Sequence, residues 1–273
     1  PARKDSFAPK PRIPALPYAA WVTPPPVETV FAKAERVVCP NPMGFVSEPQ
    51  RTVKRVSTLL FDVMGTLVFD PFHDHVPAFF SLTFEQLLEQ KHPTAWKEFE
   101  RGSIDEPTFF PKFFRDGRSF DTNAFKAMMK QYYAWIDGME ALVSELFDTG
   151  VPMHALSNYP PWYSMIEQRT GLSRFVAWSF VSCHTGLRKP DPKAYLHAAQ
   201  ELGQPMDSLL FIDDRPINCD AARSVGMQAI DFVDARQLRT EFFERGLLAD
   251  RQVSVDRNDF EVGGLEDSSF DGA

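Results

Sequence analysis

The sequence predicts an α/β protein: a doubly wound parallel sheet with a helical cap inserted after the first strand. Three observations carry this reading. From Gly138 onward, short apolar runs alternate with helical patterns, as βα units do. Earlier, the apolar run Leu59-Leu60-Phe61 ends at a carboxylate, Asp62. Between that run and Gly138 the periodicity is helical, which marks residues 71–137 as an insertion over the sheet edge.

The elements follow in order. Val56 to Phe61 reads as a buried first strand. In the insertion, Thr83-Phe84-Glu85-Gln86 has capping-box spacing, and Asp121 caps a helix whose apolar face is Phe125, Met128, Met129 and Tyr132. The many phenylalanines of this block, among them Phe79, Phe80, Phe109, Phe110, Phe113 and Phe114, read as helix packing rather than a flavin-stacking site. Glu140 to Asp148 is helical, with Gly150 as its stop. Met153 to Leu156 is a strand, and Tyr163 to Arg169 a helix ended by Gly171. Trp178 to Val181 is a strand. Pro192 opens a helix to Leu202, with Gly203 after it. Leu209 to Ile212 and Gln228 to Phe232 are strands around a helix from Ile217 to Val225, and Asp234 caps a last helix ending near Gly246. The core is thus residues 51–70 and 138–246, with the cap between.

Two flanks read differently. Residues 1–50 hold eleven of the 23 prolines, including Pro24-Pro25-Pro26. Proline fixes φ and removes a donor, so an extended arm is expected, folded on its own domain or laid along a protein partner. The tail over 247–273 carries six acids and two bases from Arg251 onward, suiting a docking tail.

Composition narrows the function. With 273 residues and 44% hydrophobic content, the chain can bury a sizeable core. A net charge of −8 argues against nucleic acid as a partner. Cys39, Cys183 and Cys219 fit neither a disulfide framework nor a zinc site. No run reaches the roughly 18 apolar residues of a membrane span. The chain begins at Pro1 rather than Met, so no transit peptide is readable from it.

The polar loops carry chemistry. Open parallel sheets bind ligands beyond the carboxyl ends of their strands. Asp62, Ser157, Lys189 and the pair Asp213-Asp214 all follow strands, or the turns after them, so the topology gathers them at one rim. Their types suit phosphoryl transfer. A magnesium ion held by Asp62 and Asp214 would neutralise both nucleophile and dianionic phosphate. Lys189 adds a fixed positive charge, and the Ser157 hydroxyl suits non-bridging oxygens. Asn218 is placed to orient Asp214 or a metal-bound water. Asp62 would attack in line, forming an aspartyl-phosphate that water cleaves.

The order Asp62-x-x-Gly65-Thr66-Leu67, Ser157-Asn158, Arg188-Lys189-Pro190-Asp191-Pro192 and Ile212-Asp213-Asp214-Arg215-Pro216-x-Asn218 resembles the haloacid dehalogenase-like hydrolases, over about residues 55–246. Within them, Phe61-Asp62-Val63-Met64-Gly65-Thr66-Leu67, Asp70-Pro71-Phe72-His73 and Ser157-Asn158-Tyr159-Pro160 look like chloroplast flavin-mononucleotide phosphatase-like proteins of plants and algae. The resemblance implies a Rossmann-like core and a magnesium-dependent phosphatase in the chloroplast, acting on a small phosphorylated metabolite. It implies Asp62 as nucleophile, with Lys189 stabilising the site. It further implies Asp62, Asp214 and the Met64 backbone carbonyl as metal ligands, Ser157, Asn158 and Thr66 as phosphate-binding, and Asp213 and Asn218 in support.

Met64 departs from that pattern. Family phosphatases place there an aspartate that protonates the leaving alkoxide, a service typically worth about 10²–10⁴ in rate. Asp70, His73, Asp74 and His75 lie downstream as substitutes, although His73-Asp74-His75 also reads as a solvated turn. The departure supports an alternative: a degenerate hydrolase domain kept as a structural subunit of a large chloroplast assembly, such as an envelope protein-import complex. A dehalogenase would tolerate Met64, because halide leaves without a proton, but the Asp213-Asp214 pair points to a cation that dehalogenases do not need.

Overall fold

The structure is a computed structural model, and it describes residues 55–249. The arm over 1–50 and residues 250–273 of the tail lie outside the described residues.

Five strands, β1 (Thr58–Phe61), β2 (Met153–Ser157), β3 (Ala177–Val181), β4 (Leu209–Asp213) and β5 (Gln228–Asp231), form one sheet in the order β3-β2-β1-β4-β5. Every neighbouring pair is parallel. Helices α1 (His75–Phe79), α2 (Phe84–Gln90), α3 (Ala95–Glu100), α4 (Glu106–Phe109) and α5 (Thr122–Tyr132) occupy the chain between β1 and the core helices. The latter are α6 (Met139–Asp148), α7 (Tyr163–Thr170), α8 (Ser182–Thr185), α9 (Pro192–Leu202), α10 (Pro216–Ser224) and α11 (Ala235–Glu244).

The two-residue alternation of a strand explains the layers. On β1, Leu59 and Phe61 enter a core shared with α6, α11 and the inserted helices, while Leu60 joins Tyr195, Ala198, Phe211 and Ala222 on the opposite face. Because helices cover both faces, the central strands are apolar throughout rather than alternating, and β1 and β4 are fully buried. Strands β2 and β3 lie on one side of β1, and β4 and β5 on the other. The order therefore reverses between β1 and β4, and a crevice opens beyond their carboxyl ends.

The inserted helices follow local rules. Thr83 forms its capping box: its hydroxyl accepts from the Gln86 N–H at 3.2 Å, and the Gln86 side chain accepts from the Thr83 N–H at 2.9 Å. Asp121 caps α5 through the Ala124 N–H at 2.9 Å. On α5 the inward tyrosine differs from the expected one. The helix ends at Tyr132, whose ring stacks on His75, and extended backbone at Tyr133 turns that side chain fully inward. The Phe-rich block is hydrophobic core, with Phe80, Phe113, Phe120 and Phe125 in mutual ring contact. The first strand starts at Thr58 rather than Val56, and α8 is a short helix that no apolar period announces. Among the described residues, no helix is long and apolar enough to cross a membrane.

Candidate active site

Asp62 follows β1, its N–H still donating to the Ile212 carbonyl of β4 at 2.8 Å. Its side chain thus stands at the reversal of strand order, 7% exposed. Lys189 reaches it from the loop before α9. The ammonium donates to Asp62 Oδ1 at 2.7 Å and to Asp213 Oδ2 at 2.6 Å, and it lies 4.9 Å from the Phe211 ring centroid. A lysine only 2% exposed needs such partners, since an unpaired buried charge is prohibitively costly.

The groups perturb one another. Burial is the largest influence on Asp62, and with Asp213 and Asp214 nearby it raises the carboxyl to about 7 against the pull of Lys189. Burial works to lower Lys189, but Asp213 and Asp62 together outweigh it and hold the ammonium above its ordinary value. Asp214 is raised by partial burial and by the charge of Asp213.

Asp213 closes β4 and is fully engaged. Besides Lys189, it accepts from the Arg215 N–H at 2.9 Å and, on both oxygens, from Asn218 Nδ2 at 3.0 Å. Asn218 therefore orients Asp213, not Asp214 as the sequence suggested; its place on the first turn of α10 points it back at the strand end. Asp214 is exposed toward the crevice. One oxygen from each of Asp62, Asp213 and Asp214 lies within 4.8 Å of the others, a set of hard donors that fits a magnesium ion. With Asp213 saturated, Asp62 and Asp214 are the donors free to bind one.

Two expected phosphate ligands have other tasks in the structure. Asn158 uses both ends of its amide on the Lys189 backbone: Oδ1 accepts from the Lys189 N–H at 2.8 Å, and Nδ2 donates to the Lys189 carbonyl at 2.9 Å. Its side chain positions the lysine, and the second Nδ2–H and the backbone N–H remain for a phosphate. Thr66 is fully buried, and its hydroxyl accepts from the Asp214 N–H at 3.1 Å, tying the first loop to the last. Next to it, Gly65 has φ +85°, and a Cβ there would stand 2.6 Å from Asp214 Oδ2. Glycine is what lets these loops close together. Ser157 fits the expected role better, because its buried hydroxyl has no hydrogen-bond partner.

Above this rim lies a cavity of about 450 Å³. Asp62, Lys189, Asp214 and Asn218 line its floor, and Phe72, Trp96, Phe113, Phe125, Met129 and Tyr159 its apolar walls. Met64 lines it too, so no carboxylate occupies that position. Glu100, which sequence reasoning missed, accepts from Arg188 Nε at 2.6 Å and from Trp96 Nε1 at 2.5 Å. Burial raises its carboxyl despite the guanidinium. Ser182 adds a second tie: its hydroxyl donates to the Glu100 carbonyl at 2.5 Å and accepts from the Tyr159 N–H at 3.0 Å. The one available signal for Glu100 was an acid sharing a short helix with Trp96 and Phe99.

A carboxylate ending the first strand, a buried lysine from the third loop and paired acids on the fourth strand define a class. The chain belongs to the haloacid dehalogenase-like hydrolases, whose family pattern matches residues 56–226. Among its relatives, the chloroplast flavin mononucleotide hydrolase 1 of Arabidopsis thaliana is 44% identical over 194 residues, which span 71% of this chain and 79% of that protein. A sesquiterpene phosphatase, astK of Aspergillus oryzae, is 25% identical over 144 residues, or 51% of this chain and 73% of its own length. Among solved structures, an enzyme of the same family from Bacteroides thetaiotaomicron, in complex with magnesium and inorganic phosphate, gives a TM-score of 0.55. It is 18% identical, over 67% of this chain and 98% of its own, a likeness of fold.

Proposed function

We propose that the protein is a magnesium-dependent phosphomonoester hydrolase working through an aspartyl-phosphate. The observation that carries this is the buried Lys189 bridging Asp62 and Asp213 on the floor of a cavity with apolar walls. Magnesium would be held by Asp62 and Asp214, with the Met64 carbonyl as a further ligand, and would offset the charge of the phosphate. Lys189 holds one Asp62 oxygen and leaves the other to attack phosphorus in line. Ser157 Oγ and the neighbouring backbone N–H groups receive the non-bridging oxygens, which would relieve the orphaned hydroxyl. Asp213, Asn218, Asn158 and Thr66 hold the four loops in place.

The substrate we favour is flavin mononucleotide. The 44% identical Arabidopsis relative is a flavin mononucleotide hydrolase, and aromatic walls around about 450 Å³ suit a planar ring system. The chloroplast is the proposed location on the strength of the same relative. The test is phosphate release by the purified full-length chain with flavin mononucleotide and magnesium. Release is expected, and Asp62→Asn should abolish it; equal release by the variant would sink the proposal.

Met64 favours a second reading, in which the domain no longer turns over and serves as a subunit of a chloroplast assembly, contacting protein partners through residues 1–50 and 251–273. Inert protein recovered from chloroplasts at fixed stoichiometry within a larger complex would support it, and turnover of flavin mononucleotide would count against it.

A further inference from the structure

With Met64 on the cavity wall, the reaction lacks a proton donor at the usual place, and the cavity itself narrows the replacements. Four carboxyl groups line it: Asp62, Asp70, Glu100 and Asp214. Asp62 is committed as nucleophile and Asp214 to the cation. Both oxygens of Glu100 are engaged, one by Trp96 and one by Arg188. Asp70 remains. Its Oδ1 accepts from the Phe72 N–H at 3.0 Å, which fixes the side chain, and no hydrogen bond to its other oxygen occurs among the described residues.

The backbone brings Asp70 to the right region. After Asp62 the chain turns at Gly65, whose N–H donates to the Val68 carbonyl at 2.8 Å, and Met64 pairs with Val68. The turn returns the chain beside Met64, so Asp70 lies two residues past the partner of the position that would ordinarily carry the acid. In-line attack by Asp62 puts the leaving oxygen on the far side of phosphorus, away from the sheet and toward the cavity. Asp70 is half-buried, and burial raises its carboxyl, which favours the protonated form a donor needs. Of the other polar side chains near Asp70, His73 is exposed and packs edge-on against Phe72, and the hydroxyls of Tyr133 and Tyr159 hydrogen-bond each other.

Resting on the phosphatase reading, we infer that Asp70 is the general acid and base of this site, taking the role Met64 cannot fill. In the first half-reaction an Asp62 oxygen bonds to phosphorus, and the bond from phosphorus to the leaving oxygen breaks with its electron pair on that oxygen. The Asp70 carboxyl proton moves to the same oxygen, releasing the neutral alcohol and leaving Asp70 ionised. In the second half, water attacks phosphorus while Asp70 takes a water proton. The bond to Asp62 breaks with its pair returning to the carboxylate, inorganic phosphate departs, and the resting states of both residues are restored.

The test compares p-nitrophenyl phosphate with p-nitrobenzyl phosphate in the full-length chain with magnesium. The two share a ring, but nitrophenolate leaves without a proton and the benzylic alkoxide does not. Asp70→Asn keeps the acceptor for the Phe72 N–H and loses the transferable proton. We expect its turnover of the benzyl ester to fall about 10²-fold or more, with the initial burst of nitrophenolate from the phenyl ester, which reports the first half-reaction, within a few fold of wild type. Equal losses in both, no loss in either, or the selective loss in His73→Gln instead would overturn the assignment to Asp70. Wild-type protein that cleaves neither ester would overturn the phosphatase reading, and this inference with it.

Discussion

Replacing Lys189 by methionine should expose how the charged floor of the site is held. The side chain is one atom shorter and loses its charge, leaving the buried carboxylates of Asp62 and Asp213 without the ammonium that now lies 2.7 and 2.6 Å away. Removing one partner of a buried ion pair typically costs about 3–5 kcal/mol, because the remaining charge stays desolvated. Part of that cost is avoidable by protonation. Asp62 already stands near 7 with the lysine present, and without it the carboxyl rises further. An acid whose folded-state pKa lies above its unfolded value, about 3.9, is a liability that grows as pH rises. The variant should therefore be destabilised by about 3–5 kcal/mol at pH 8 and by clearly less at pH 5.5, where the folded state takes up a proton. Urea denaturation of wild type and variant across this range measures it. Adding Asp62→Asn should recover part of the pH 8 loss, since one of the two stranded charges is then gone. A loss of about 1 kcal/mol or less that does not vary with pH would refute the reasoning.

Two further predictions concern ligands. Ser157→Ala removes a buried hydroxyl that satisfies nothing, so stability should be unchanged or rise by up to about 1 kcal/mol in thermal denaturation, while the affinity for inorganic phosphate drops. A stability loss beyond about 1 kcal/mol would mean the hydroxyl is satisfied in solution. Magnesium binding requires ionised Asp62, whose carboxyl stands near 7 in the metal-free protein. Calorimetry should show protons released on magnesium binding at pH 6 and few at pH 8.5, with apparent affinity falling as pH drops. A flat affinity over that range would remove Asp62 from the ligand set.

The sheet was readable because each strand is a short apolar run, and because Gly150, Gly171 and Gly203 mark the ends of helices. The floor of the site was readable for a related reason. A carboxylate at the end of a buried run, as at Asp62 and Asp213, contradicts its surroundings and so attracts notice. The hydrogen bonds of Asn158 and Thr66 were hidden. An amide or hydroxyl in a loop does not declare its partner, and these partners lie 31 and 148 residues away. Glu100 was hidden differently: Lys97 and Glu98 beside it make the helix look solvated, and only the packing of Trp96 shows which face is inside. Tyr132 and Tyr133 could not be distinguished by period, because the helix stops between them.

The Glu100–Arg188 pair has a mechanical meaning. Arg188 is joined by one peptide bond to Lys189, and its Nη1 donates to the Lys189 carbonyl at 3.1 Å. Any tilt of α3 pulls through that guanidinium on the residue that grips the nucleophile. A helix of the cavity wall is thus joined, through one ion pair and one peptide bond, to the side chain that holds the attacking carboxylate.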